Sequence, residues 1–273
     1  MSVAAQRPLS GSRQFEPFES RLVASRDGGR KLLVPYVMAG MSADWLDVLR
    51  AVAASGADAV EVGIPFSDPM IDGPVIQQAG KVALDRGTTP EGVLADLARA
   101  DLGVPAVVMT YYNLVFRAGC HRFARRLAEA GVSGAIIADL PLEEAGEWCE
   151  QADDAGVSTV LLVAPSTSPE RAARICERSR GFVYGVATMG VTGERERLSA
   201  TATSLAGRLK GLTELPVCIG IGVSTPDQAA QVCTVADGVV VGSALVRRLL
   251  EGGGPDGAAL FVRELRQGID RPD

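Results

Sequence analysis

The sequence predicts an α/β fold, a single (β/α)8 TIM barrel with extra helices at the N-terminus and after the second strand, from three observations. Eight short apolar runs of strand character alternate with amphipathic stretches of helical period along the 273 residues. The runs are continuous in Val, Ile and Leu, which is typical of parallel strands covered on both faces. Gly56, Gly131 and Gly156 each end a helical stretch and lead directly into a strand, as a C′ glycine does. Because no linker-like break interrupts the alternation, the pattern predicts one barrel.

Along the chain, residues 1–14 are predicted to be a flexible N-terminus and residues 15–273 to form the barrel domain. Helices over 15–26 and around 90–99 are predicted outside the regular alternation. A doubly wound open sheet is the alternative fold, but neither a GxGxxG nor a GxxxxGK(S/T) fingerprint is present. The predicted strands are 32–39, 59–63, 106–110, 134–138, 159–164, 182–186, 217–220 and 238–241, and the helices between them include 44–54, 120–130, 143–154, 169–178, 201–212 and 226–235.

The bulk composition excludes several classes of function. A net charge of −6 and a pI near 5.0 argue against a nucleic-acid-binding face. Five cysteines without CxxC spacing predict reduced thiols in a reducing compartment, and a single histidine argues against a metal site. The longest apolar runs fall short of the ~18 residues of a membrane span. The composition therefore predicts a cytoplasmic protein with no metal, no membrane partner and no nucleic-acid partner.

Three acids at the end of the second predicted strand are the first candidates for chemistry. Glu61 lies within an apolar run, where a carboxylate costs free energy unless it is paired or used. Asp68 and Asp72 follow in a loop rich in proline and glycine. Acids grouped in a rigid loop after a strand indicate a site. For Asp68, an Asx-turn or cap is an equally good interpretation.

Glycines at the ends of the seventh and eighth predicted strands are candidates for phosphate binding. In such barrels the active site lies at the carboxyl ends of the strands, and the last two loops often hold phosphate. Gly220, Gly222 and Gly242 would let the backbone approach a ligand, and Ser243 is predicted to cap the helix 244–250. Tight turns are the alternative interpretation of each loop taken alone.

The remaining polar residues favour acid–base chemistry. Tyr184 lies in the sixth predicted strand and can point into the barrel mouth, and the glycine-containing segment after that strand can close over it. His121 is assigned to a helix start at the surface, and no lysine lies within a strand, so a Schiff base is disfavoured. Without a metal, these groups favour proton transfer on a small phosphorylated substrate, either isomerisation or retro-aldol cleavage.

Several motifs in the same order resemble the tryptophan synthase alpha subunit family over most of the chain. The closest resemblance is the stretch from Glu61 to Pro74, EVGIPFSDPMIDGP. Further matching segments are VMTYYN at 108–113, ADLP at 138–141, MGVTG at 189–193 and DGVVVGSA at 237–244.

The resemblance implies cleavage of indole-3-glycerol phosphate to indole and glyceraldehyde 3-phosphate. Glu61 matches the family's catalytic glutamate, which moves a proton between indole C3 and the glycerol hydroxyl. Asp72 matches the aspartate that holds the indole N–H and opposes the developing positive charge. Tyr184 matches an active-site tyrosine, and Thr192 matches the threonine that meets the aspartate on loop closure.

The resemblance also implies a phosphate site and a partner. Gly193, Gly222, Gly242 and Ser243 match the family's phosphate-binding positions. Asp68 matches a residue near the contact with the beta subunit, which receives indole through a tunnel. The expected assembly is an αββα heterotetramer, with pyridoxal phosphate only in the beta subunit and no cofactor in this chain.

Some positions depart from the family pattern, and alternative functions therefore stay open. Thr188 stands where many members have arginine, Met41 stands in place of an aspartate, and Ile71 and Ile221 differ from residues found in some members. A stand-alone lyase releasing free indole is the main alternative. A non-catalytic activator of the beta subunit and a phosphoribosyl isomerase are weaker ones, because both acids are present and such isomerases lack the Pro-Phe-Ser-Asp-Pro stretch.

Overall fold

A nine-stranded parallel sheet forms the centre of the computed structural model, which describes residues 17–186, 195–220 and 222–271. The strand order is β5-β4-β3-β2-β1-β9-β8-β7-β6. The two outer strands are separated in the chain only by Val160, whose N–H donates to the Ala135 carbonyl of β4 at 3.1 Å. One continuous segment therefore forms both ends of the sheet and closes it into a barrel. The strands are β1 Leu32–Met38, β2 Val60–Gly63, β3 Ala106–Thr110, β4 Gly134–Ile137, β5 Ser158–Thr159, β6 Leu161–Val163, β7 Val183–Val186, β8 Val217–Gly220 and β9 Gly238–Val241.

The predicted barrel is confirmed, with the fifth predicted strand divided into β5 and β6. Gly56, Gly131 and Gly156 have φ values of 106°, 72° and 72°, the left-handed conformation expected after a helix. The predicted flexible segment 1–14 lies outside the described residues, and its boundary at residue 15 stays a prediction.

The helices surround the barrel, and α1 and α4 are the predicted additions. Three described helices, α3, α5 and α12, were not expected from the sequence. Pro74 and Pro255 lie in the first turns of α3 and α12, where proline is tolerated, although each lies in a segment that resembles a turn. The helices are α1 Pro17–Asp27, α2 Trp45–Ala54, α3 Pro74–Asp85, α4 Pro90–Leu97, α5 Tyr112–Ala118, α6 Cys120–Glu129, α7 Gly146–Ala155, α8 Pro169–Arg178, α9 Arg195–Lys210, α10 Pro226–Cys233, α11 Ser243–Leu250 and α12 Gly254–Ile269.

Helix α1 covers the amino-terminal end of the barrel. Phe18 meets Phe182 edge to face, with ring centroids 6.4 Å apart, and both side chains are buried in the barrel interior. Glu19 is buried beside them and accepts a hydrogen bond from the Gly181 N–H at 2.8 Å. Since this end is closed, a ligand reaches the interior from the opposite end, where the strands finish.

Two further buried acids fasten the same closed end. Asp58, just before β2, accepts from the Leu33 N–H at 2.8 Å and pairs with Arg266 at 3.1 Å. Asp237, just before β9, accepts from the Val217 N–H at 2.9 Å and pairs with Lys210. Each carboxylate therefore joins the start of a neighbouring strand to a cation from a helix.

Candidate active site

Glu61 lies in the barrel interior without a partner for one of its oxygens. It is in β2, in register with Tyr36 of β1 and Val107 of β3. Its exposure is 1%, and Oε2 is buried with no hydrogen-bond partner among the described residues. Burial, helped by the nearby Asp72 carboxylate, raises the pKa of Glu61 to about 8. At neutral pH Glu61 therefore carries a proton that it can give away.

The contrast with the other buried acids shows why Glu61 is the candidate for catalysis. Glu19, Asp58 and Asp237 all accept hydrogen bonds from backbone N–H groups at the closed end of the barrel. Buried polar groups are normally satisfied in this way, and an exception needs an explanation. Among the buried acids of the described residues, Glu61 is that exception, and it lies towards the open end.

Asp72 lies near Glu61 on the segment between β2 and α3. It is half-buried, and burial raises its pKa, while the Tyr111 hydroxyl acts to lower it. Tyr111 follows β3, and its ring stacks on Phe66 with centroids 5.0 Å apart and planes 26° apart. Its hydroxyl is buried near Asp72 without a regular hydrogen bond, and the pKa of Tyr111 is raised, chiefly by burial and then by Asp72. The Asp72 carboxylate thus lies beside two aromatic rings, and it and the Tyr111 hydroxyl can form hydrogen bonds with a ligand.

A cleft opens beside Asp72 and Tyr111, and Tyr36, the neighbour of Glu61 in the sheet, lies on its wall. Thr110, at the end of β3, lies on its wall and has a buried Oγ1 with no hydrogen-bond partner among the described residues. Apolar walls with a few convergent polar groups are typical of small-molecule sites. The remaining lining is mostly apolar or aromatic, namely Tyr36, Met38, Ile64, Phe66, Pro69, Ile76, Gly80, Met109 and Tyr111.

Tyr184 lies on β7 and packs against the apolar side chains of the barrel interior. Its place in the site stays a prediction. Burial and then the charge of Glu61 raise the pKa of its phenol well above the usual value. The phenol lies against Gly220 of β8, where any Cβ would overlap it. The glycine at position 220 therefore makes room for the tyrosine ring.

The predicted phosphate corner lies at the ends of the adjacent strands β8 and β9. Gly222 has a φ of 60°, and Gly242 directly precedes α11. The expectation that Ser243 caps this helix is wrong, because Gly242 is the N-cap and Ser243 is the first helical residue. The first amides of a helix lack intrahelical acceptors, so the loop still offers an anion site. Thr192 and Gly193 lie outside the described residues, as do Thr188 and Ile221.

Asp68 lies on the rim and not in the cleft. It is exposed, and the neighbouring Ser67 hydroxyl donates to its Oδ2 at 2.5 Å. The next side chains are apolar and exposed, at 91% for Met70 and 55% for Ile71. The structure thus brings Glu61 and Asp72 together and places Asp68 apart from them.

Sequence reasoning missed Tyr36 and Thr110, and it gave Tyr111 no role. Tyr36 is hidden in an apolar strand, and its proximity to Glu61 becomes visible only when β1 and β2 are paired. Thr110 and Tyr111 do stand where a barrel strand ends, which is the position that could have indicated them.

The described residues contain neither a cluster suited to a metal nor a membrane-spanning helix. Groups of three or more His, Cys, Asp or Glu side chains placed to hold a metal ion are absent from this part of the chain. None of the helices in the same ranges is long and apolar enough to cross a membrane.

Comparison with known proteins agrees with the resemblance. The family model for the tryptophan synthase alpha chain matches residues 22–265. The tryptophan synthase alpha chain of Thermobifida fusca (strain YX) is 46% identical over 250 residues, covering 89% of this chain and 93% of that one. The alpha chain of Streptomyces coelicolor is 42% identical over 269 residues, covering 96% and 98%.

Solved structures agree with these sequence matches. A Mycobacterium tuberculosis tryptophan synthase structure superposes with a TM-score of 0.87 at 40% identity, covering 95% of this chain and 100% of that chain. An alpha subunit structure from Legionella pneumophila superposes with a TM-score of 0.84 at 32% identity, covering 93% and 98%. Since the matches span the whole barrel in both sequence and structure, this chain belongs to the tryptophan synthase alpha chain family.

Proposed function

We propose that this chain cleaves indole-3-glycerol phosphate by a retro-aldol reaction and supplies the indole to a beta subunit for tryptophan synthesis. Membership of the alpha chain family supports the reaction. The observation that carries the chemistry is the buried Glu61 carboxyl, whose Oε2 has no hydrogen-bond partner among the described residues and whose pKa is raised to about 8.

Glu61 moves the proton that the reaction requires. With its pKa near 8, the carboxyl is protonated at neutral pH and can protonate C3 of the indole ring. The resulting carboxylate then takes the proton of the glycerol hydroxyl as the carbon–carbon bond breaks. Glu61 is thereby returned to its starting state, so no cofactor is needed for the proton balance.

Asp72 stabilises the positive charge that develops on the indole ring. Its carboxylate accepts the indole N–H, and its negative charge opposes the charge of the C3-protonated ring. Asp72 is only half-buried, which favours its ionised form relative to that of Glu61. The stacked rings of Phe66 and Tyr111 beside it suit a planar aromatic substrate.

The phosphate of the substrate is assigned to the loops after β8 and β9. Gly222, Gly242 and Ser243 are proposed to bind it through backbone N–H groups at the start of α11. Gly193 is proposed to complete the site, and Thr192 to meet Asp72 when the loop after β7 closes. Tyr184 is proposed to contact the substrate between this corner and Glu61.

The rim around Asp68 is the proposed contact with the beta subunit. Met70 and Phe116 are exposed at 91% and 68%, and both follow the carboxyl ends of adjacent strands, β2 and β3. Exposed apolar side chains at one end of a barrel indicate a protein interface. We propose the αββα heterotetramer, with pyridoxal phosphate in the beta subunit.

The stand-alone lyase is not favoured. The matching solved structures include those of Mycobacterium tuberculosis tryptophan synthase. A cytoplasmic location is part of the proposal, supported by five free and buried cysteines, as a reducing compartment favours.

The test is an assay of indole release from indole-3-glycerol phosphate by the purified chain, alone and with a beta subunit. We expect slow release by the isolated chain and stimulation by the partner. Absence of cleavage in both conditions would reject the reaction, and cleavage without stimulation would reject the coupling.

A further inference from the structure

Tyr36 connects the two parts of the proposed site. Its Cβ lies 3.6 Å from the position that a Cβ on Gly242 would take, at the phosphate corner. Its hydroxyl lies against Gly63, where any added Cβ would overlap it. Between these points its ring is buried on the interior face of β1, in register with Glu61. A substrate reaching from the phosphate corner to Glu61 must therefore pass over this ring.

The Tyr36 hydroxyl has only a weak acceptor. Its partner among the described residues is the Met38 thioether, with Oη and Sδ 3.8 Å apart. A thioether sulfur is a poor acceptor compared with a carboxylate oxygen. On the neighbouring strand, Glu61 has a buried oxygen with no donor. A poorly used donor and an acceptor without a described partner are therefore carried by paired residues of adjacent strands.

Among the described residues, no cation is found that acts on the ionised form of Glu61. The charged and titratable groups that act on Glu61, Tyr36 and Tyr184 are Asp72, Tyr111, Cys218 and one another. All of them are acids, phenols or a thiol. A carboxylate formed at Glu61 during turnover must therefore be stabilised by neutral hydrogen-bond donors, and the phenols are the donors at hand.

We propose that Tyr36 is a positioning residue whose hydroxyl turns from Met38 to donate a hydrogen bond to the Glu61 carboxylate whenever Glu61 is ionised. The proposal rests on the proposed function for its role in turnover, but the contact itself concerns only this chain. When Glu61 has given its proton to indole C3, the hydroxyl stabilises the carboxylate that remains. When Glu61 takes the proton of the glycerol hydroxyl, it becomes neutral again, and the Tyr36 hydroxyl no longer donates to it. Tyr36 keeps its own proton throughout.

The structure gives the phenol room to act in this way. Gly63 follows Glu61 by two residues on the same face of β2, and its missing side chain leaves the space that the hydroxyl occupies. Tyr184 is placed in the same manner against Gly220 on the other side of the interior. Tyr36 differs from it in being the neighbour of Glu61 in the sheet.

The experiment compares the wild-type chain, Tyr36→Phe and the control Tyr112→Phe, which removes a phenol hydroxyl on α5. The turnover number and KM for indole-3-glycerol phosphate are measured from pH ~5.5 to ~9.5 with the beta subunit present. Loss of a hydrogen bond to a charged group predicts a fall in kcat of about tenfold or more for Tyr36→Phe, with KM within about twofold. The alkaline limb of its kcat profile should move to higher pH, because the ionised form of Glu61 loses its donor.

A second measurement does not depend on activity. The Glu61 carboxyl is titrated in the ligand-free chain by infrared difference spectroscopy, with Glu61→Gln identifying the band. Tyr36→Phe should raise the midpoint by about one pH unit and Tyr112→Phe should leave it in place. An unchanged midpoint in Tyr36→Phe overturns the proposal, even if its stability or KM changes.

The two measurements separate the inference from the proposed function. If the wild-type chain cleaves no substrate but Tyr36→Phe still shifts the midpoint, the proposed function fails and the contact stands. If cleavage occurs and neither the midpoint nor the alkaline limb moves, the function stands and the role of Tyr36 is refuted.

Discussion

The Asp72 carboxylate adds to the rise that burial imposes on the pKa of Glu61, which reaches about 8. The two acids lie in one short segment of chain, but their environments differ, since Glu61 is enclosed in the barrel and Asp72 is half-buried at its mouth. Neighbouring carboxyl groups with separated pKa values can take different roles in acid–base chemistry. Here one group can hold a proton at neutral pH while the other carries charge.

Glu61→Gln should abolish turnover and leave substrate binding nearly intact. The amide keeps the size of the side chain but cannot transfer a proton, so kcat should fall by ~10²–10⁴-fold. Indole release and the dissociation constant of the substrate are the quantities to measure. Glu129→Gln is the matched control, since Glu129 is exposed in a surface pair with Arg125. Turnover of Glu61→Gln at the wild-type rate would remove Glu61 from the mechanism.

The free energy of unfolding should depend on pH through Glu61. In the unfolded chain this group ionises near 4.5, and in the folded chain near 8. Between these values the folded state binds the extra proton at Glu61, so the contribution of Glu61 to stability falls as pH rises from about 4.5 to about 8 and is then constant. Glu61→Gln has no carboxyl to ionise and lacks this loss. Its free energy of unfolding relative to wild type should therefore rise with pH by a few kcal/mol. Urea denaturation at pH ~5 and ~8 gives the free energy of unfolding of both proteins. If the difference between Glu61→Gln and wild type is the same at both pH values, the prediction is contradicted.

Gly220→Ala should disturb the site through Tyr184. A methyl group at position 220 overlaps the tyrosine phenol, and forcing bulk into a filled interior costs about 1–3 kcal/mol. Gly257→Ala is the control, because no atom lies within 4 Å of its added Cβ in α12. Urea denaturation of Gly220→Ala, Tyr184→Ala and the double variant should give non-additive free energies of unfolding. Additive losses would show that the two positions do not interact.

Asp58→Asn should lower stability without lowering the turnover of the folded enzyme. The change removes the charge that pairs with Arg30 and Arg266, while Arg266 keeps its ion pair with Asp270. Weakening these charge-assisted hydrogen bonds should cost about 2 kcal/mol. Asp85→Asn, in an exposed pair with Lys81, should change stability by less than about 0.5 kcal/mol. Denaturant curves and the kcat of the folded fraction test both statements. A selective loss of kcat in Asp58→Asn would mean that the closed end takes part in catalysis.

Much of the architecture followed from periodicity. The apolar runs, the C′ glycines and the helical spacing depend on neighbouring residues, so the barrel and its eight strand segments could be predicted. Helices α3, α5 and α12 were not predicted, for local reasons too. Two of them begin in glycine–proline segments that resemble turns, 72–74 and 252–255, and α5 is only seven residues long. The break that divides the fifth predicted strand at Val160 also had no sequence signal.

The sequence by itself determined that Glu61 is an acid in an apolar strand and that Asp72 follows it in a rigid loop. It did not show that Asp58 and Asp237 would be buried and paired, because their partners lie 20 to 208 residues away in the chain. Asp58 meets Arg266 across 208 residues. Only the tertiary structure showed which buried carboxylates are neutralised by such contacts and which one is left with a free oxygen beside Tyr36. A buried charge is costly until a partner is brought to it, and only folding brings the partner.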